Sequence, residues 1–137
     1  MPTPLPAELS SRRILIVEDE AHARRVNVDI LEELGFSNIR QAMDGAEALD
    51  ILETTRSPID LVICDLAMPK MDGFAFVEKV RKSRQYYRDT PIIMLTGSAN
   101  ADAVIRLKSL GVNGYLVKPM TPEAILDRIK YVLRFRL

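Results

Sequence analysis

From residue 13 onward, short apolar runs alternate with amphipathic stretches. Arg13-Ile14-Leu15-Ile16-Val17 is a β-rich run that stops at the acidic triplet Glu18-Asp19-Glu20. Over 21–34, Val26, Ile30, Leu31 and Leu34 fall at helical spacing, which predicts a helix with those four inward and Gly35 as its stop. Residues 38–42 form a weak second strand. Asp44 then caps a helix carrying Ala48, Leu49 and Leu52 inward, and Ser57-Pro58 closes the loop after it. Ile59 to Cys64 is nearly all apolar and reads as a third strand, ended by Asp65. Asp72-Gly73 opens a helix with Phe76, Val77 and Val80 inward, and Pro91 to Leu95 is a fourth strand stopped at Thr96-Gly97-Ser98. A helix over 101–110 ends at Gly111, and Gly114 to Val117 is a fifth strand stopped by Lys118-Pro119. Thr121 as N-cap with Pro122 at the first helical position opens the last helix, which buries Ile125, Ile129, Val132 and Leu133.

Strict alternation of strand and helix predicts an α/β fold, a parallel sheet covered on both faces. Right-handed crossovers favour the doubly wound five-stranded order 2-1-3-4-5. The 137 residues match one domain, assigned to 13–137. The first dozen residues (1–12) hold three prolines and read as a flexible leader.

Nineteen basic and nineteen acidic residues cancel, which argues against a protein devoted to nucleic-acid phosphates. No run approaches the roughly 18 apolar residues of a membrane span, and the leader lacks the apolar core of a secretory signal. The lone Cys64 makes no internal disulfide and begins no zinc spacing, so it reads as a buried packing residue in a reduced, cytoplasmic protein.

Four strands end in residues able to do chemistry: Glu18-Asp19, Asp65, Thr96 and Lys118. A parallel sheet puts all of these at one edge, and the switch between strands 1 and 3 is where open α/β sheets bind ligands. Glu18, Asp19 and Asp65 therefore converge there, with Thr96 and Lys118 flanking. Three adjacent carboxylates repel one another, and a hard divalent cation relieves them; Mg²⁺ suits such a site and leaves room for a phosphoryl oxygen. A carboxylate, a cation and a lysine together suit an aspartyl-phosphate intermediate.

These residues carry a resemblance. ILIVEDE (14–20), DLVICDLAMPKMDG (60–73), MLTG (94–97) and GYLVKP (114–119) jointly resemble the receiver domain of two-component response regulators over residues 13 to about 134. LGFSNIRQAMDGAEAL (34–49) makes the chain similar to the single-domain chemotaxis (CheY-like) type, which has a flavodoxin-like fold. The resemblance implies Asp65 as phosphoacceptor and Asp19 as direct Mg²⁺ ligand. Glu18 would act through metal-bound water, and the Ala67 backbone carbonyl would be a further ligand. Thr96 would hydrogen-bond the phosphoryl group, Lys118 would ion-pair with it, and Tyr115 would be an aromatic switch. A cis Lys118-Pro119 bond is also implied. Ala67 and Ser98 fall at positions that tune dephosphorylation in this family, so Ala67→Asn is expected to alter the phosphorylated lifetime without abolishing phosphorylation.

Phosphorylating Asp65 adds roughly one negative charge and strong acceptor oxygens. The resemblance then implies that Thr96 moves toward them, that Tyr115 swings inward, and that the surface made by the helix over 101–110, the fifth strand and the last helix changes. The implied donor is a histidine kinase or a phosphotransfer histidine protein. The open targets are a flagellar motor component, a downstream kinase or the next protein of a phosphorelay. With no output domain expected on the chain, the signal leaves by protein contact, without nucleic acid or membrane, and the protein's only catalysis is its own phosphotransfer and dephosphorylation.

Two other readings compete: a phosphate-independent docking domain of the same fold, and a Mg²⁺-dependent phosphohydrolase. The second typically needs another acid two residues after the first, where this chain has Ala67 after Asp65 and Ala21 after Asp19. A nucleotide or flavin binder needs a phosphate loop after strand 1, where this chain has acids. Glu20 and His22 read as exposed first-turn residues. Lys79, Arg81, Lys82, Arg84 and Arg88 read as a solvated basic face. Arg128, Lys130, Arg134 and Arg136 suit the end of the last helix.

Overall fold

A computed structural model of the chain describes residues 4–98 and 100–134. The strands are β1 (Arg13–Val17), β2 (Asn38–Ala42), β3 (Leu61–Asp65), β4 (Ile92–Thr96) and β5 (Gly114–Val117). They pair in parallel in the order β2-β1-β3-β4-β5, the doubly wound α/β topology the pattern predicts. The helices are α1 (Ala7–Ser10), α2 (Ala21–Leu34), α3 (Gly45–Thr54), α4 (Gly73–Lys82), α5 (Ala101–Ser109) and α6 (Pro122–Val132), with a 3₁₀ turn at Tyr86–Asp89.

Side chains alternate across the pleat and feed two cores. Leu15, Val17, Val62, Cys64, Ile92 and Met94 face α3, α4 and α5, which contribute Leu52, Phe76, Val77, Val80 and Leu107. Ile14, Ile16, Leu61, Ile63, Ile93 and Leu95 face α2 and α6, which contribute Val28, Leu31, Ile125 and Ile129. Because both faces are covered, the central strands have no polar alternation. Asp44, Asp72, Asn100 and Thr121 each cap the next helix through a side-chain oxygen. At Gly35 the chain leaves α2 with φ +111°, a left-handed conformation that a side chain would strain.

Several expectations need correction. Residues 4–12, read as a flexible leader, are part of the packed fold. Leu9 in α1 is fully buried in the α2/α6 core, Leu5 packs against it, and Asn38 Nδ2 donates to Ser11 O at 2.9 Å. Leu9 lies within α1 and Leu5 just before its Pro6 cap, and the burial of Leu9 with the packing of Leu5 outweighs the proline-rich composition. On α2, Val26 is 42% exposed, whereas Asn27, Val28 and Leu31 are buried, so the inward face is turned from the one expected. Glu20 is exposed but serves as the α2 cap, accepting from His22 N at 3.1 Å and Ala23 N at 2.6 Å. Asp65 and Thr96 are the last residues of their strands rather than the first beyond them, and β3 begins at Leu61.

Arg81 does not belong to a solvated face. Its Nε and Nη2 donate to Gly111 O, Nη1 donates to Arg88 O and Thr90 O, and Nη2 also reaches Asn113 Oδ1, all between 2.8 and 3.1 Å. The same Asn113 Oδ1 accepts from Ile92 N. Every donor of the guanidinium fork is used. The end of α4, the 3₁₀ turn, the start of β4 and the turn before β5 are thus joined through one side chain, whose burial lowers its pKa from the ordinary arginine value.

Candidate functional site

The carboxyl ends of β1, β3, β4 and β5 lie side by side because the ladders are parallel and in register. Val17 pairs with Cys64, Asp65 with Leu95, and Thr96 with Val117. The ladders extend just past the strand ends: Glu18 N donates to Ala42 O at 3.0 Å, Leu66 N to Leu95 O at 2.9 Å, and Lys118 N to Thr96 O at 2.8 Å. The side chains of Glu18, Asp65, Thr96 and Lys118 therefore project from backbone held by hydrogen bonds.

The structure brings Glu18, Asp19 and Asp65 together. One carboxylate oxygen from each lies within 4.8 Å of the others, the only such acidic cluster among the described residues. Glu18 and Asp65 are buried and Asp19 is exposed. Lys118 Nζ lies 2.7 Å from Asp65 Oδ1 and 3.5 Å from Glu18 Oε1. Apart from that ion pair, no described group gives Asp65 Oδ1 a hydrogen bond of regular geometry, although the atom is buried.

Burial pushes the Glu18 carboxyl up to about 7, reinforced by its hydrogen bond and charge interaction with Asp65 and its contact with Asp19. For Lys118, burial pulls the pKa down, but the pairing with Asp65 and Glu18 outweighs it and the net direction is upward. One ammonium thus faces more carboxylate than it neutralises. A hard cation fits this donor set: all-oxygen ligands, a buried oxygen lacking a regular hydrogen bond, and an acid that burial and a neighbouring carboxylate hold at the border of ionisation.

Thr96 is buried at the end of β4, and its Oγ1 donates to Ser98 O at 2.7 Å. Tyr115 is half-buried in β5, opposite Met94, and packs on the core shared with α3 and α4. Ala67 is exposed two residues beyond Asp65, and the Lys118–Pro119 peptide bond is cis. Cys64 is buried, which raises its thiol pKa well above the ordinary range, consistent with a packing role.

Two supports of the site were not read from the sequence. Arg24 reaches back from α2 to donate from Nη1 to Glu18 O at 2.8 Å. Gly73 N closes the loop after Asp65 by donating to Leu66 O at 2.8 Å, and a Cβ at Gly73 would lie 3.0 Å from Asp65 O and 2.9 Å from Leu66 Cα. A glycine directly after a helix-capping aspartate is the signal that could have pointed to this close approach.

The chain belongs to the response regulator receiver family, whose receiver-domain model matches residues 14–130. Within it, the chain is similar to the chemotaxis protein CheY homolog of Campylobacter jejuni, at 37% identity over 121 residues covering 88% of this chain and 92% of that protein. It is also similar to the chemotaxis protein CheY of Pseudomonas aeruginosa, at 35% identity over 120 residues covering 88% and 94%. The solved structure of Vibrio cholerae chemotaxis protein CheY4 matches with a TM-score of 0.81 at 36% identity, covering 89% of this chain and 98% of that one. CheY in the CheX-CheY-BeF3-Mg complex of Borrelia burgdorferi is also similar, with a TM-score of 0.79 at 27% identity and 88% of each chain covered. No helix among the described residues is long and apolar enough to cross a membrane.

Proposed function

We propose that this chain is a phosphorylation-controlled signalling receiver that accepts a phosphoryl group on Asp65. The observation that carries this reading is the buried Asp65 oxygen paired with Lys118 at 2.7 Å and clustered with Glu18 and Asp19. A carboxylate held this way has an unshared electron pair to offer phosphorus. In the transfer, an Asp65 oxygen bonds to phosphorus while the bond from phosphorus to the donor's imidazole nitrogen breaks, and the nitrogen keeps the electron pair. The donor is a phosphohistidine on a kinase or a phosphotransfer protein.

Glu18, Asp19, Asp65 and the Ala67 carbonyl would hold Mg²⁺, which when bound offsets charge on the phosphoryl oxygens. Lys118 keeps its ammonium beside the same oxygens. Thr96 redirects its hydroxyl from Ser98 O to a phosphoryl oxygen, and Tyr115 moves into the space released. The surface formed by α5, β5 and α6 changes with it, and a partner protein reads that surface. The Mg²⁺ and BeF3 named for the Borrelia burgdorferi relative support this reading. The pathway is chemotaxis or another phosphorelay.

The test is intact mass after incubation with Mg²⁺ and acetyl phosphate. A labile gain of one phosphoryl group, dependent on Mg²⁺ and absent from Asp65→Asn, is expected. If neither acetyl phosphate nor beryllofluoride with Mg²⁺ alters the protein, the phosphate-independent docking reading replaces this one.

A further inference from the structure

Helix α5 is the least anchored helix on its face of the sheet. Leu107 is its only buried side chain, whereas α3 buries Ala48, Ile51 and Leu52 and α4 buries Phe76, Val77 and Val80. Its N-cap, Asn100, stands two residues after Ser98, and the Ser98 carbonyl is the acceptor of the Thr96 hydroxyl. One further contact reaches across to α4: the guanidinium carbon of Arg106 lies over the Phe74 ring, 4.0 Å from its centroid. Phe74 is in the first turn of α4, two residues after the Asp72 cap that ends the loop following Asp65, and its ring packs partly into the core. The well-fixed α4 thus holds the loosely seated α5 through a cation–π contact.

We propose that Arg106 and Phe74 are positioning residues that hold α5 in the unphosphorylated arrangement and so set how readily the domain switches. This rests on the phosphoreceiver reading. When Thr96 turns its hydroxyl to a phosphoryl oxygen, Ser98 O, two residues before the α5 cap, loses its donor. Arg81 still holds Gly111 O beyond the end of α5, and along the helix itself Leu107 and the Arg106–Phe74 contact remain as restraints. A contact formed only in the resting arrangement opposes the switch by the whole of its strength, so its removal favours the phosphoryl-bound state.

The test is a double-mutant cycle on beryllofluoride affinity in the presence of Mg²⁺. Arg106→Gln and Phe74→Leu should each raise the affinity about two- to fivefold, the range that an exposed cation–π contact spans. The double variant should gain no more than either single one, while Arg106→Lys and Phe74→Tyr should stay near wild type. Unchanged affinity in Arg106→Gln, or additive gains in the double variant, would overturn the proposal. Amide exchange in the protein without ligand gives a second readout: α5 in Arg106→Gln should exchange about two- to fivefold faster with β3 unchanged. If the wild type bound no beryllofluoride, the receiver reading would fail, and unaltered α5 exchange would separately refute the restraint.

Discussion

Lys118 is bound more closely to Asp65 than to Glu18: its ammonium lies 2.7 Å from the first carboxylate and 3.5 Å from the second. The residue proposed to receive the phosphoryl group is thus the better compensated of two buried acids. Glu18, buried and beside Asp65 with the more distant share of the ammonium, has its pKa pushed up to about 7.

That division predicts a pH dependence. The Glu18 pKa in the folded chain lies above its ordinary 4.5, so the folded state keeps the proton longer than the unfolded one. Without metal, stability should be greatest below pH 4.5 as far as this group is concerned, and should be lost as pH rises through about 7. The loss is at most about 3 kcal/mol. Urea titrations from pH 5 to 8 should show the decline in wild type and not in Glu18→Gln, and Mg²⁺ should reduce it.

Neutralising Asp65 should stabilise the metal-free protein. Asp65→Asn removes the buried like charge that acts on Glu18 and frees Lys118 to pair with it, a gain of about 1–2 kcal/mol. Thermal denaturation in a chelator should give a higher midpoint for the variant. Addition of Mg²⁺ should then raise the wild-type midpoint and leave that of Asp65→Asn almost unmoved.

The segment before β1 should matter to folding. Leu9 is fully buried against α2 and α6, so Leu9→Ala should cost about 2–5 kcal/mol, like other large-to-small core substitutions. Equal denaturant midpoints for this variant and wild type would show that the segment contributes nothing.

Two helix-initial glycines should respond to alanine to different degrees. At Gly73 the added carbon meets Met94 Sδ at 2.8 Å and also backbone that cannot rotate away, Leu66 Cα at 2.9 Å and Asp65 O at 3.0 Å, and Gly73→Ala should cost about 1–3 kcal/mol. At Gly45 it meets the flexible Met71 side chain, nearest at Sδ, which can rotate away. Helix propensity then offsets most of the cost, and Gly45→Ala should remain within about 1 kcal/mol of wild type. Chemical denaturation of both variants checks the contrast, and Gly73→Ala should also weaken Mg²⁺ binding by shifting the backbone of Asp65.

The strands and the acidic edge were legible because burial on both faces forces apolar runs, and the first polar residue after each run marks the sheet edge. Other features were not, for physical reasons. Val26 and Asn27 are neighbours on α2, and hydropathy chose the valine as inward where the tertiary arrangement buries the asparagine. Leu5 and Leu9 are too few to make a periodicity, so the prolines between and before them dominated the reading. Arg81 looks like its basic neighbours in sequence, because its acceptors are backbone carbonyls brought within reach only by the fold.

The arginine fork at residue 81 has a practical consequence for building a biosensor on this scaffold. A fluorescent reporter inserted at 84–88 or 111–113 would tear carbonyls from a guanidinium with no spare donor and would unsettle two strands at once. At Gly97 an added side chain meets nothing within 4 Å, and the position lies outside the arginine junction and between Thr96 and Ser98, whose hydroxyl–carbonyl contact is proposed to change. A dye carried on a side chain at 97, with the backbone left uninterrupted so that the Thr96–Ser98 contact survives, would ride on the switch without loosening the frame on which it turns.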